Sequence, residues 1–411
     1  MKQLSRQPRF RSHWRFVVCA LAPLCALPVY SAVLPEDRAD VMLHNYEGGD
    51  VTVDGPSILL RKKIGEQISI SGNYYLDLVT SASIDVKTLG ASEYKEERTQ
   101  SSLAVDYLRG KTTYNMAYIE SEESDYVAKT ASVGISEDMF GDLTTVSIGY
   151  TRAWDQVFKN VKNSDGVLVN EATYGGDKPY RNSDHRSYRL SLSQVVTKNL
   201  LMGLNFEAQT HEGQLGNPYR AIRTYNLAGT QVQNAEERLP GTRTTNAFSL
   251  TAKYYLPFRA AVYGSYRYFT DTWGIRGNTY ELGYIHPWRA WTFETSYRGH
   301  SQDAADFYSD LFPRPDFQNF QARDRNLSTM SNQTLHLGIT YDLLKLEQWT
   351  RSWLNKGTIS LFYDHVDFKF EDFRDATQSD AKYAENPVPK GSEPMYTEQG
   401  DIVRFFISVW F

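Results

Sequence analysis

The chain has 411 residues, 41% of them hydrophobic, with a mean hydropathy of -0.50, which excludes a bundle of membrane helices but not one large closed barrel. Its formal charge of -5 becomes about -10 (39 basic residues against 49 acidic) once a basic leader is removed, a poor balance for nucleic acid. Both cysteines, Cys19 and Cys25, fall in that leader, so disulfide, thiol and cysteine–metal chemistry are excluded from the remainder.

The first 32 residues read as a secretory signal peptide. Lys2, Arg6, Arg9, Arg11 and Arg15 precede an apolar run, Phe16 to Val29, and small residues at Ser31 and Ala32 permit cleavage. Residues 33–50 are expected to be either a periplasmic segment or a first strand, with Asp40 to Tyr46 turning at Glu47-Gly48-Gly49. From 51 to 411 one domain is expected. No later apolar run is long enough for a helix, so any membrane span must be built from strands.

Alternation with a period of two then recurs along the chain. Thr144 to Trp154 sets Val146, Ile148, Tyr150 and Trp154 against small polar residues. Leu204 to His211 alternates apolar residues with Asn205, Glu207, Gln209 and His211. Phe248, Leu250, Tyr254 and Leu256 oppose Ser249, Thr251 and Lys253, while Trp291, Phe293 and Tyr297 oppose Glu294, Ser296 and Arg298. The final stretch, Asp401 to Phe411, places Val403, Phe405, Ile407, Val409 and Phe411 in one row. Short turns at Arg109-Gly110-Lys111, Lys198-Asn199, Pro257-Phe258 and Pro287-Trp288-Arg289 separate longer polar stretches near 156–185, 212–243, 302–330 and 371–399. Aromatics make up 14% of the chain, an excess suited to membrane interfaces. The expected fold is therefore all-β: a transmembrane antiparallel up-and-down β-barrel with short periplasmic turns and long extracellular loops. Sixteen strands are favoured over fourteen.

Longer strings carry a resemblance. Gly55 to Val86, Phe140 to Asp155, Leu192 to Glu207, Arg267 to Ile275, Ser301 to Arg314 and Phe362 to Asp375 resemble the domain-of-unknown-function family numbered 3570. That family is described as predicted outer-membrane barrel proteins of Gram-negative bacteria. The resemblance implies the fold and the outer membrane as location, and brings no catalytic or binding residues with it.

Choosing the row opposite the apolar one gives a lumen-facing set: Arg189, Glu207, Lys253, Arg267, Glu281, Glu294, Arg298 and His336. Charges of both signs facing inward fit a channel whose charge rows tune selectivity, or a polar core filled by mutual pairing. The stretch 302–330 mixes Asp303, Asp306, Asp310 and Arg314 with Phe307, Tyr308, Phe312 and Phe317. It fits no calcium-loop spacing, and its aromatics favour a packed loop that constricts or caps the barrel. Asn217 to Asn226 is basic and aromatic, suited either to lipopolysaccharide phosphates or to folding inward.

The histidines show no metal-binding spacing, and no G-x-S-x-G string is present. Ser296 or Ser360 with His336 is a combination that any Ser-rich barrel offers, so no enzyme, cofactor or metal site is expected. The expected function is a channel for small polar or charged solutes, with a plugged docking barrel as the alternative. Expected partners are outer-membrane lipid and lipopolysaccharide, and the barrel-assembly machinery through a C-terminal signal formed by Phe405, Ile407, Val409 and Phe411. No nucleic-acid partner is expected.

Overall fold

The computed structural model describes residues 33–81, 84, 94–162, 168–170, 181–343 and 354–411, so the leader lies outside it. The strands are β1 (Arg38–Gly48), β2 (Val51–Ile64), β3 (Ile68–Ser81), β4 (Tyr94–Arg109), β5 (Thr112–Glu123), β6 (Tyr126–Met139), β7 (Thr144–Val157), β8 (Asn160–Lys162), β9 (Leu168–Asn170) and β10 (Arg181–Thr197). They continue as β11 (Leu200–Gly213), β12 (Ala221–Tyr225), β13 (Val232–Glu236), β14 (Thr242–Tyr255), β15 (Ala261–Asp271), β16 (Arg276–Trp288), β17 (Trp291–Gln302), β18 (Met330–Asp342), β19 (Lys356–Arg374) and β20 (Met395–Trp410). Sixteen of them form one closed antiparallel barrel in sequence order; β8–β9 and β12–β13 are small hairpins inside two of the connections. The barrel begins at β1, so the segment before Val51 is a strand of the wall.

Closure is continuous. β20 pairs with β1 from Arg38↔Trp410 through Leu43↔Phe405 to Gly48↔Gly400, which leaves no open edge. Turn chemistry sets the first hairpin: Gly49 and Asp50 both have positive φ (57° and 59°), as a two-residue type I′ turn requires. Among the described residues the long connections gather at one end, which also carries the two-residue turns Gly49-Asp50 and Ser124-Asp125. Gly65, Gly110, Lys198-Asn199 and Arg289-Ala290 mark tight turns at the end where β1 starts and β20 finishes, here the turn end. The connections at 158–180, 214–241, 303–329 and 375–394 all fall at the opposite, loop end.

The two faces of the wall differ as the alternation requires. Outside, Leu60, Leu103, Ile148, Leu190, Leu250, Leu337 and Leu361 are exposed, and Leu282 reaches 68% exposure. A belt of that composition suits hydrocarbon rather than water. Phe140, Tyr255, Phe258, Trp288 and Trp291 are exposed at the turn end, with Trp154 and Tyr268 nearer the loop end. Inside, small polar residues such as Ser69, Ser71, Ser249, Thr279, Ser296, Thr334 and Ser360 are buried among their neighbours. At the seam the rings of Trp410 and Phe411 lie close to cations: Arg38 and Lys356 sit 4.8 and 4.6 Å from Trp410, and Lys62 sits 5.0 Å from Phe411.

Candidate functional site

All eight residues expected to face the lumen lie on the inner row, opposite the exposed apolar one. Their partners differ. Arg189 and Glu207 are direct cross-strand partners and pair at 3.1 Å, yet the Arg189 side chain stays 50% exposed although it points inward, which requires open space inside the barrel. Glu281 accepts a hydrogen bond from the Tyr263 hydroxyl at 3.1 Å. Glu294 lies 3.7 Å from His336 Nε2, while Asp364 holds His336 Nδ1 at 2.6 Å and Arg404 Nη2 at 2.5 Å. Glu294 and Arg298, four residues apart on one strand, are separated by roughly 13 Å at strand rise and do not pair. Arg267 and Arg298 form no ion pair among the described residues, and Lys253 lies near the turn end, 5.7 Å from the Tyr255 ring. The inner wall therefore presents paired acid clusters on β17–β20 and unpaired guanidinium groups on β15 and β17.

Both ring nitrogens of His336 face carboxylates, so this histidine is an acid-paired group rather than a base aimed at Ser296, its cross-strand neighbour. Ser360 accepts from Thr340 at 2.9 Å. A second cluster, just across the β1–β20 seam from the first, joins His44 to Asp77 at 2.9 Å, with Arg98 3.8 Å from the same carboxylate and the Tyr75 ring stacked on His44.

A cap closes over the loop end, built from the connections 213–242, 302–330 and 374–395. Its apolar centre joins Trp273, Ile275, Ala305, Phe307, Ala322 and Leu327. Backbone bonds fasten the loops together: Tyr225 N–H donates to Phe312 O (3.0 Å), Phe312 N–H to Arg223 O (2.9 Å), and Arg238 and Gln321 exchange two bonds (2.9 and 2.8 Å). Buried charges cross-link them. Asp310 accepts from Arg323 at 3.0 Å and lies within 3.5 Å of Arg374 and 3.9 Å of Arg223. Arg223 also bonds Glu393, and Arg220 pairs with Asp324 at 2.9 Å. Arg325, the largest fully buried side chain among the described residues, pairs with Glu398 on the inner face of β20, where the Tyr46 hydroxyl also points. On another wall the Tyr219 hydroxyl donates to Asp125 at the β5–β6 turn, at 2.9 Å. The cap thus spans the mouth from one wall to another.

Cap residues titrate away from their ordinary ranges. Burial pushes the Tyr308 hydroxyl well up, and the carboxylates of Asp372 and Asp310 add to the effect. Burial alone would raise the Glu393 carboxyl, but hydrogen bonding from Ser379 and the charge and bonding of Arg223 hold it below the usual range.

Of the four residues expected in a constricting loop, Asp310 is buried at the hub. Asp303, Asp306 and Arg314 are exposed and form no ion pair among the described residues. Alternation has no reach into loops, so Arg323, Arg325 and Glu393 carried no signal, and Glu398, on β20, gave none of its bond to a loop arginine. Asn217 to Asn226 folds inward: its two arginines engage Asp324, Asp310 and Glu393 of the cap.

A family model described as Protein of unknown function (DUF3570) matches residues 86–353. The chain belongs to that family. No curated protein matches this DUF3570 barrel. Among solved structures it is similar to a loop L8 deletion mutant of OmpT, an outer membrane protein of Vibrio cholerae (9% identity, TM-score 0.40, 90% of this chain and 97% of that one). It is also similar to a bacterial polysaccharide outer membrane secretin (8%, 0.46, 92% and 100%) and to the outer membrane protein opdK of Pseudomonas aeruginosa (8%, 0.40, 91% and 99%). The DUF3570 barrel thus resembles Gram-negative outer-membrane barrels in fold alone.

Proposed function

We propose that this barrel is a loop-constricted channel of the Gram-negative outer membrane, passing small polar or charged solutes. Residues 1–32 serve as its secretory signal, the loop end faces outward with lipopolysaccharide beside it, and the turn end faces the periplasm. Assembly is read from the terminal row Phe405, Ile407, Val409 and Phe411. The observation that carries the reading is the inner row itself: Arg189 is half exposed inside a sixteen-stranded wall, a size that leaves an aqueous channel in barrels of this kind. The cap supplies the constriction, and its buried pairs make it a built element rather than loose loops. Unpaired Arg267 and Arg298 bias the path toward anions. No bond-making step is assigned to the chain, because His336, the best-placed base, is turned to two carboxylates.

The wall-to-wall cap also favours a second reading, a closed docking barrel that displays its loops to a partner. Conductance separates the two. Folded protein in a planar bilayer gives discrete steps if the channel reading holds. Absence of steps from both wild-type protein and a variant with a released cap removes it in favour of the docking barrel.

A further inference from the structure

At the loop end of the inner wall, away from the cap's ion pairs, two histidines meet in a way the channel reading does not use. His185 on β10 and His211 on β11 are direct cross-strand partners, and their Nδ1 atoms lie 2.5 Å apart. The rings are near perpendicular, at 67°, with centroids 4.8 Å apart, so this is a nitrogen-to-nitrogen approach rather than stacking. Two imidazole lone pairs repel at that distance unless a proton or a cation lies between them.

The surroundings of His185 select which nitrogen is bare. Its Nε2 has the Ser183 hydroxyl at 2.9 Å and Asp155 Oδ2 at 3.4 Å. A carboxylate beside Nε2 favours the tautomer protonated there and leaves the Nδ1 lone pair directed at His211. Metal-ligating histidines are commonly oriented in this way, by a carboxylate on the second ring nitrogen. Asp155 is itself fixed, since it accepts from the Tyr126 hydroxyl. The cation opposite His211, Arg243, is neutralised by Asp271 at 2.5 Å and packed 4.5 Å from the Trp273 ring, so it does not repel a second cation with its full charge.

We propose that His185 and His211 bind one borderline divalent transition-metal ion, Zn²⁺, Ni²⁺ or Cu²⁺, through their two Nδ1 atoms. Imidazole suits these ions, and with both cysteines confined to the leader no thiol competes with this nitrogen pair in the barrel. Two nitrogens at about 2.05 Å from a tetrahedral ion stand roughly 3.3 Å apart, so the rings separate by about 0.8 Å on binding. Small side-chain rotations in both residues supply that. The remaining coordination positions face the lumen and are open to water or a passing ligand. This inference does not depend on whether the lumen conducts.

The test uses the untagged, folded barrel without its leader (residues 33–411) in detergent, stripped with a chelator and then loaded with Cu²⁺. We expect one ion retained per chain after gel filtration, an electron paramagnetic resonance spectrum with hyperfine coupling to two nitrogens, and displacement by excess Zn²⁺. His185→Gln or His211→Gln should abolish retention with unchanged far-ultraviolet circular dichroism, and Asp155→Asn should weaken it by about 10–100-fold. Equal retention by wild type and the double His variant overturns the proposal. A wild-type spectrum without nitrogen coupling also overturns it, whatever the variants do, and leaves the pair sharing only a proton.

Discussion

Replacing Arg325 by Ala isolates the contact that ties the cap to the wall. The Arg325 and Glu398 side chains are each 2% exposed, so truncation strands a carboxylate out of water with little more than the Tyr46 hydroxyl, at 3.4 Å, to hold it. Breaking a buried ion pair from one side costs about 3–5 kcal/mol, because the surviving charge is left uncompensated. If the cap opens as a unit, that cost falls on cap opening rather than on the barrel, whose strand ladders do not involve Arg325. The amides that report it are Ala305, bonded to Leu327 O, and Ala322, bonded to Phe307 O. At 1.4 kcal/mol per tenfold change, their hydrogen exchange should accelerate by roughly two to three and a half decades in R325A. Amides of β4–β7 should stay protected. The double variant R325M/E398M removes both charges and should recover most of the loss. Exchange at residues 305–327 within about threefold of wild type in R325A would refute this account of the cap, since it falls far below the range expected for a broken buried pair.

Other outcomes follow from the same structure. Arg267→Glu and Arg298→Glu should each shift the reversal potential in a salt gradient toward cations, and the double change further; an unmoved potential removes both from the solute path. Leu282→Arg places a charge midway along β16 on the exposed apolar face and should cost about 2–4 kcal/mol of folding stability in lipid, measured by denaturant titration in vesicles. Glu393, held below its ordinary 4.5, stabilises the cap at all pH values above that. This contribution is lost as pH falls through its lowered value, so cap protection factors, taken relative to the intrinsic exchange rate at each pH, should be flat from pH 7 to 5 and fall below about 4.5. Glu393→Gln should erase that dependence.

The wall was legible because a strand's two faces announce themselves at a period of two. Leu204 and Phe206 against Asn205 and Glu207 already say which side meets the apolar phase, and β11 places them so. The first strand was less plain, because Arg38 to Gly48 is mixed in composition and gains its place by pairing on both sides, with β2 and β20. The cap was not legible. Its Arg223–Glu393 bond joins residues 170 positions apart, and nothing in a local pattern encodes that meeting.

The His185–His211 pair was hidden by a single residue. Extending a regular hairpin from Thr197↔Leu200 sets His185 against Glu212. A bulge between Val195 and Thr197 shifts the register by one and brings His211 opposite instead. Spacing rules written for helices and loops do not see such a pair, whereas the register does.

Planar-bilayer recording of the folded wild-type barrel, side by side with R325A, decides whether the capped barrel conducts. Wild type should give discrete, anion-preferring steps, and R325A, where the cap has lost its hold on β20, larger ones. Silence from both proteins, with each shown to be folded and inserted, would contradict the channel reading.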